Sequence, residues 1–276
     1  MTNTSAAEPS RPARSDITIG LVVPFDTDTV PEEGVQMYPD VRFLARGVGV
    51  RSLTPKGYDA AADGILPAAE HLAARGVDAV MVIGTSLTFY RGPDFHAALK
   101  EKLRAATGLP ASTMSQAIVD GLNSFGARRI AVATAYADEV NARLRDFLIA
   151  HDFEVLALEG FGLLGFGDPS RKSENDIVAL GDKVCADAPG AQGLLISCGG
   201  LRTLNVAEPL EARHGIPVVA STQAAFWAAM RLIGHSGHLP GHGRLLAQAH
   251  DAQAHDAQAR GTRAATAEAR PATARH

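Results

Sequence analysis

Short runs of Val, Ile, Leu and Ala alternate along the chain with longer stretches whose apolar residues recur every three or four positions. The first pattern predicts buried strands, the second amphipathic helices. Ile17 to Val23 reads as a strand. Tyr58 to Arg75 reads as one helix, with Ala61, Ile65, Ala68, Ala69 and Leu72 on its apolar face and Gly76 as its stop. Ala79 to Ile83 is the next strand, Phe95 to Thr107 a helix ending at Gly108, Ala111 to Thr113 a strand and Ser115 to Phe125 a helix. The pattern then restarts. Arg129 to Thr134 is a strand, and Ala137 to His151 a helix with Val140, Leu144, Phe147 and Leu148 on one face. Phe153 to Leu158 is a strand and Asn175 to Ala186 a helix. Gly193 to Ser197 is a strand, Val206 to His214 a helix, Val218 to Ala220 a strand and Thr222 to Ile233 a helix. Strands that alternate with helices imply parallel sheets flanked by helices.

The two halves also match residue by residue. Gly108-Leu109-Pro110 is followed by Ser115-Gln116-Ala117, and Gly215-Ile216-Pro217 by Thr222-Gln223-Ala224 at the same offset. Chance similarity between two α/β halves is the alternative to a duplication. The expected fold is α/β: two similar Rossmann-like units with parallel sheets, related by a pseudo-two-fold axis, with the active site in the cleft between them. The first unit spans 16–126 and is completed by about 228–246; the second spans 127–227. A polar leader, 1–15, carries Pro9 and Pro12 and is expected to be disordered. The segment 247–276 repeats Ala-His-Asp-Ala-Gln and lacks the large apolar residues that a core requires, so it is expected to be a disordered tail.

Composition narrows the function classes. With 276 residues, 46% of them hydrophobic, the chain can bury a large core. A net charge of -4 gives no basis for binding nucleic acid or an anionic membrane. No apolar run reaches the roughly 20 residues of a membrane helix. Two cysteines do not make a disulfide framework, which points to a reducing cytoplasm.

Ligands of open parallel sheets bind beyond the carboxyl ends of the strands. Pro24, Gly84 to Ser86, Tyr136 and Cys198 to Gly200 all fall there. Cys198 follows an apolar strand and precedes Gly199 and Gly200, whose backbones can approach a ligand closely. A thiol so placed can serve as nucleophile, acid or base according to its pKa. Cys185, among Ile177, Val178, Gly181 and Val184, reads as core. Thr85 and Ser86 end the equivalent strand of the first half; their hydroxyls and N–H groups suit a carboxylate or an oxyanion. The Tyr136 phenol can donate into the same cleft. The first half has Gly84 where the second has Cys198. Two facing thiols could exchange protons on both faces of a carbon, whereas one thiol serves a single face.

Other patterns carry less. Gly160-Phe161-Gly162-Leu163-Leu164-Gly165 fits the dinucleotide spacing, but Phe166-Gly167-Asp168-Pro169 follows where a helix must open, so a mobile glycine-rich loop is expected. His235, His238 and His242, like His250 and His255, lack a ligand framework for a metal. No phosphate loop and no serine-hydrolase elbow is present.

The residues Gly84-Thr85-Ser86-Leu87-Thr88-Phe89-Tyr90-Arg91-Gly92, Ala133-Thr134-Ala135-Tyr136 and Ser197-Cys198-Gly199-Gly200-Leu201 resemble the arylmalonate decarboxylases. Tyr38-Pro39-Asp40 and Thr54-Pro55-Lys56-Gly57-Tyr58-Asp59 do so too, and the resemblance runs from about Ile17 to about Leu246. It implies two α/β units around a cleft, no cofactor or metal, and a small malonate-type substrate bearing an aryl or alkenyl group. It implies that Thr85, Ser86, Tyr136, Gly199 and Gly200 hold the retained carboxylate as it becomes an enediolate, and that Cys198 protonates one face. The apolar pocket is implied to consist of Pro24, Val50, Leu53, Tyr58, Gly84, Leu87 and Phe166. Phe25 stands where the family often has a second proline, and Phe166 is larger than the usual aliphatic. The wider superfamily includes aspartate and glutamate racemases and maleate isomerase, with a cysteine in each half. Two other readings therefore stand beside this one: a racemase or cis-trans isomerase of a small dicarboxylate, and a non-catalytic carboxylate-binding protein. As an enzyme the chain is expected to work as a monomer or weak homo-oligomer.

Overall fold

The computed structural model describes residues 17–248. The expected leader, 1–15, lies outside the described residues, as does nearly all of the expected tail, including His250 and His255. The first half runs β1 (Thr18–Val23), α1 (Glu32–Met37), β2 (Arg42–Gly47), α2 (Pro55–Ala62), α3 (Ile65–Ala74), β3 (Ala79–Val82), α4 (Thr85–Phe89), α5 (Pro93–Thr107), β4 (Ala111–Thr113) and α6 (Met114–Ser124). The second runs β5 (Arg129–Tyr136), α7 (Asp138–Ile149), β6 (Glu154–Leu163), α8 (Glu174–Ala186), β7 (Gly193–Ser197), α9 (Ala207–His214), β8 (Val218–Ala220), α10 (Ser221–Leu232) and α11 (Arg244–Ala247).

Each half builds a four-stranded, all-parallel sheet, and the two orders correspond: β2-β1-β3-β4 and β6-β5-β7-β8. The duplicated α/β architecture is therefore present in the strand order itself. In both sheets the order reverses between the first and third strands, β1/β3 and β5/β7, and the crevice at such a switch point is where ligands bind. The central strands β1, β3 and β7 are buried along their whole length, as expected of strands covered on both faces. The halves also share helices. α6 follows the first sheet yet touches β7 and β8, while α10 follows the second yet touches β3 and β4, and the two helices pack on each other. The seam between the halves is thus part of the core.

Three expectations need correction. The helix read from Tyr58 to Arg75 is two helices broken at Asp63–Gly64. Pro67 is the cause: it has no N–H to give the Asp63 carbonyl, and its ring crowds that carbonyl. Thr85 and Ser86 do not end a strand; they open α4. The glycine-rich stretch is not a loop throughout, because β6 continues to Leu163. Gly160 permits this: a Cβ there would lie 2.3 Å from the Tyr136 carbonyl oxygen. The strand β2 and the helix α1 were not anticipated. β2 is an edge strand with Arg42 and Arg46 exposed, which hides its apolar alternation.

Candidate active site

A cavity of about 130 Å³ opens at the carboxyl ends of β1, β3 and β7. Pro24, Val50, Leu53, Tyr58, Gly84, Thr85, Ser86 and Leu87 line it from the first half; Phe166, Cys198, Gly199 and Gly200 line it from the second. Twelve of the thirteen residues singled out in the sequence therefore meet in one place. Tyr136 is not in the lining: it is buried beneath the thiol. Phe25, Pro31, Ile83, Gly167, Pro169 and Ser170 complete the wall. Sequence reasoning noted Phe25 only as a departure from the family pattern and did not select the other five. Pro31, Gly167, Pro169 and Ser170 lie in connections without periodicity, and Ile83 reads simply as strand. No side chain of the lining is charged.

Cys198 sits just past β7 and is buried. Its φ is +152°, a region that side-chain-bearing residues rarely adopt. The equivalent Gly84 also has a positive φ, +118°, so a positive φ follows both strands. Burial pushes the Cys198 thiol up to about 11, against the opposing pull of the Gly200 N–H, the Tyr136 hydroxyl and the Leu201 N–H. The Gly200 N–H lies 3.4 Å from Sγ and donates to it. The thiol is therefore a neutral, protonated group at neutral pH.

Tyr136 ends β5. Its carbonyl accepts from Asn141 Nδ2 at 3.2 Å, and its N–H donates to Thr134 Oγ1 at 3.1 Å. The pairing of β5 with β6 slips between Thr134 and Tyr136, and such irregularities re-aim a side chain. The phenol lies 3.4 Å from Ser197 Oγ, and burial holds its pKa well above the ordinary tyrosine value. Tyr58 is likewise raised, chiefly by burial. Its hydroxyl lies near that of Ser86 but completes no hydrogen bond, an unmet need that a ligand oxygen would satisfy.

The first-half donors are held across the seam. Thr85 Oγ1 donates to Ser221 Oγ of α10 at 3.0 Å, and Ser115 Oγ of α6 donates to the Thr85 carbonyl at 2.9 Å. The Gly84 N–H points at Met114 Sδ, 3.4 Å away. The chain beyond Gly200 is pinned by a residue sequence reasoning did not find. Glu33 of α1 accepts from the N–H groups of Thr203 at 2.6 Å and Leu204 at 2.9 Å. Gln223 Nε2 donates to the Leu204 carbonyl at 3.3 Å. Cys185 lies on α8, half-buried and away from the cavity lining. His235, His238 and His242 are not in the lining either. No helix among the described residues is long and apolar enough to cross a membrane.

The arrangement can bind a carboxylate through neutral hydroxyl and N–H donors and can present one protonated thiol to it. The family profile described as arylmalonate decarboxylase matches residues 19–246. The arylmalonate decarboxylase of Bordetella bronchiseptica is 43% identical over 233 residues, covering 84% of this chain and 97% of that protein. A liganded double mutant of arylmalonate decarboxylase superposes with a TM-score of 0.81 at 43% identity, over 83% of this chain and 98% of the other. The maleate cis-trans isomerase of Nocardia farcinica shares the fold, with a TM-score of 0.76 at 20% identity over 83% of this chain and 97% of the other.

Proposed function

Since the chain belongs to the arylmalonate decarboxylase family, we propose that it removes one carboxyl group from a 2-aryl or 2-alkenyl malonate, without a cofactor, to give one enantiomer of the monocarboxylic acid. The observation that carries this reading is a buried, neutral thiol in a cavity whose lining holds no charged side chain.

The chemistry follows from which substrate oxygens find donors. The retained carboxylate binds Thr85 and Ser86 and the N–H groups of Gly199 and Gly200; Tyr136 joins them only when its hydroxyl turns from Ser197 and the thiol into the cavity. Thr85 exchanges its Ser221 acceptor for the substrate. When the C–C bond breaks, its electron pair passes into an enediolate on this carboxylate. Donors aimed there become more effective as charge accumulates. The departing carboxylate lies against Pro24, Val50, Leu53, Tyr58, Leu87 and Phe166. With few donors and no cation beside it that charge is destabilised, and its loss as neutral CO2 relieves the cost. Cys198 then delivers its proton to the planar carbon, and the thiolate regains a proton from water. Gly84 offers no acid to the other face, so protonation is one-sided. A racemase or isomerase needs a second thiol, which this chain lacks at that position. On the same reading the chain works on a small diacid as a monomer or weak homo-oligomer, in the cytoplasm, where both thiols stay reduced.

The test is CO2 release from phenylmalonate, whose product phenylacetate is achiral and reports the rate alone, and from 2-methyl-2-phenylmalonate, whose product 2-phenylpropionate is resolved on a chiral column. The wild type is expected to give one enantiomer, and Cys198→Ala to lose about 10²- to 10⁴-fold in rate, the usual worth of a positioned general acid. A racemic product, or a Cys198→Ala variant as fast as wild type, would refute the assignment.

A further inference from the structure

The cavity is roofed by a segment of the second half that reaches across to the first. The Leu164 carbonyl accepts from the Leu53 N–H at 2.9 Å, and Gly165 forms an antiparallel bridge with Ser52. Asp168 Oδ2 accepts from the Gly165 N–H at 2.9 Å, which closes the turn. These contacts set Phe166 edge-on against Phe25, the ring centres 6.0 Å apart and the planes at 80°. Both rings line the cavity, one supplied by each half. Past the turn, Pro169 covers Gly200 so closely that a Cβ there would lie 3.1 Å from the proline ring.

The volume left under this roof decides what fits. A dry, closed cavity of about 150 Å³ takes one benzene ring; the present cavity is about 130 Å³ and partly open, so a bound malonate keeps part of itself in the opening. The hydroxyl and N–H donors sit at the Thr85 and Cys198 strand ends, so the substituent of the substrate shares the apolar remainder with the departing carboxylate. A short alkenyl group or one small ring fills that space. A fused bicyclic group requires Phe25 or Phe166 to leave its edge-to-face contact.

We propose that Phe25 and Phe166 form a two-ring size filter that confines the substrates to malonates bearing a short alkenyl group or a single small ring. This inference rests on the decarboxylase reading for its substrate class, but the filter itself can be tested apart from turnover. Two assays run on the wild type, Phe166→Val and Phe25→Val, each checked for folding by thermal unfolding. The first measures kcat/KM for phenylmalonate and 2-naphthylmalonate; the second measures Kd for phenylacetate and 2-naphthylacetate by calorimetry. Both rings are only partly buried, and if one variant does not fold the other still reads the filter.

Wild type is expected to favour phenyl over naphthyl by about 10- to 200-fold, the range an apolar pocket achieves by size alone. Either variant should reduce that preference by about tenfold or more. A wild-type ratio near one, or a ratio unchanged in both folded variants, overturns the filter. If neither malonate is decarboxylated but the acetates are still discriminated and the variants relax that discrimination, the filter stands and the decarboxylase reading falls. If CO2 is released from both malonates at similar rates, the reverse holds.

Discussion

The protonation state of Cys198 separates the proposed reaction from its rivals, and it can be measured directly. Burial raises the thiol from 9.0 to about 11. At pH 7 about one molecule in 10⁴ would then carry the thiolate. A proton donor needs the thiol, whereas an isomerase or racemase that attacks or deprotonates its substrate needs the thiolate. The assay is the pH dependence of alkylation by iodoacetamide. Cys185 complicates it, since that thiol is also raised to about 11, chiefly by burial. The experiment therefore uses a Cys185→Ala background, in which Cys198 is the remaining cysteine. The rate should climb about tenfold per pH unit from pH 7 to pH 10 with no plateau. Decarboxylation should stay level across neutral pH and fall only as the medium approaches the folded pKa. Stability gives an independent reading. The folded state holds the proton more tightly than the unfolded chain, so the contribution is full below pH 9 and is lost as pH rises toward 11. The loss amounts to roughly 2–3 kcal/mol. A plateau in alkylation near pH 7 would mean a thiolate at neutral pH and would refute the assignment of Cys198 as a proton donor.

Two further predictions concern the scaffold. His96 is buried, with Nε2 2.7 Å from Thr113 Oγ1, and burial, followed by Lys100 and His151, pushes it down to about 3. Its contribution to stability is therefore complete above pH 6.5 and lost as pH falls toward 3, a decline of roughly 3–5 kcal/mol. Urea unfolding between pH 7 and pH 4 should show that slope and His96→Gln should flatten it; an equal slope in the variant would assign acid sensitivity elsewhere. Glu33 should hold the chain beyond the thiol, so Glu33→Ala, which leaves the Thr203 and Leu204 N–H groups unpaired, should cost roughly 2–4 kcal/mol and Glu33→Gln about half that. A urea midpoint unchanged in Glu33→Ala would show that water replaces the carboxylate at no cost.

The fold was legible where burial writes itself into the residue pattern. β1, β3 and β7 are covered on both faces, and their uninterrupted Val, Ile and Leu runs can be read directly. β2 has one free edge and a partly exposed surface, so its Arg42, Leu44 and Arg46 carry no such run. The break at Asp63–Gly64 depends on Pro67, two residues inside the next helix, which a periodicity count overlooks. For the site, strand ends followed by glycine, serine or cysteine were visible because a ligand-facing turn needs small residues. The roof was not. Pro169 and Ser170 reach the cavity only because Leu164 and Gly165 pair with Ser52 and Leu53, a contact between segments more than a hundred residues apart. Glu33 was hidden for the same reason: its partners, Thr203 and Leu204, lie in the other half.

The two halves repeat one backbone device and use it differently. A positive φ follows both β3 and β7, at Gly84 and at Cys198. Glycine takes that conformation freely. A cysteine there costs on the order of 1–3 kcal/mol, and burying its thiol adds a pKa penalty if it ionises. Packing does not explain the choice: a glycine would satisfy the same turn, as it does at Gly84. The cost is understandable if the side chain is wanted for its proton, because the strained turn places Sγ on the cavity wall beside the Gly200 N–H. Symmetry of the scaffold thus supplies two equivalent stations on one pocket, and the residue at each station decides whether the pocket can act on one face of a carbon or on both. On the proposed reading, with Gly84 at the first and a neutral Cys198 at the second, a single thiol proton is available, and it arrives from one side.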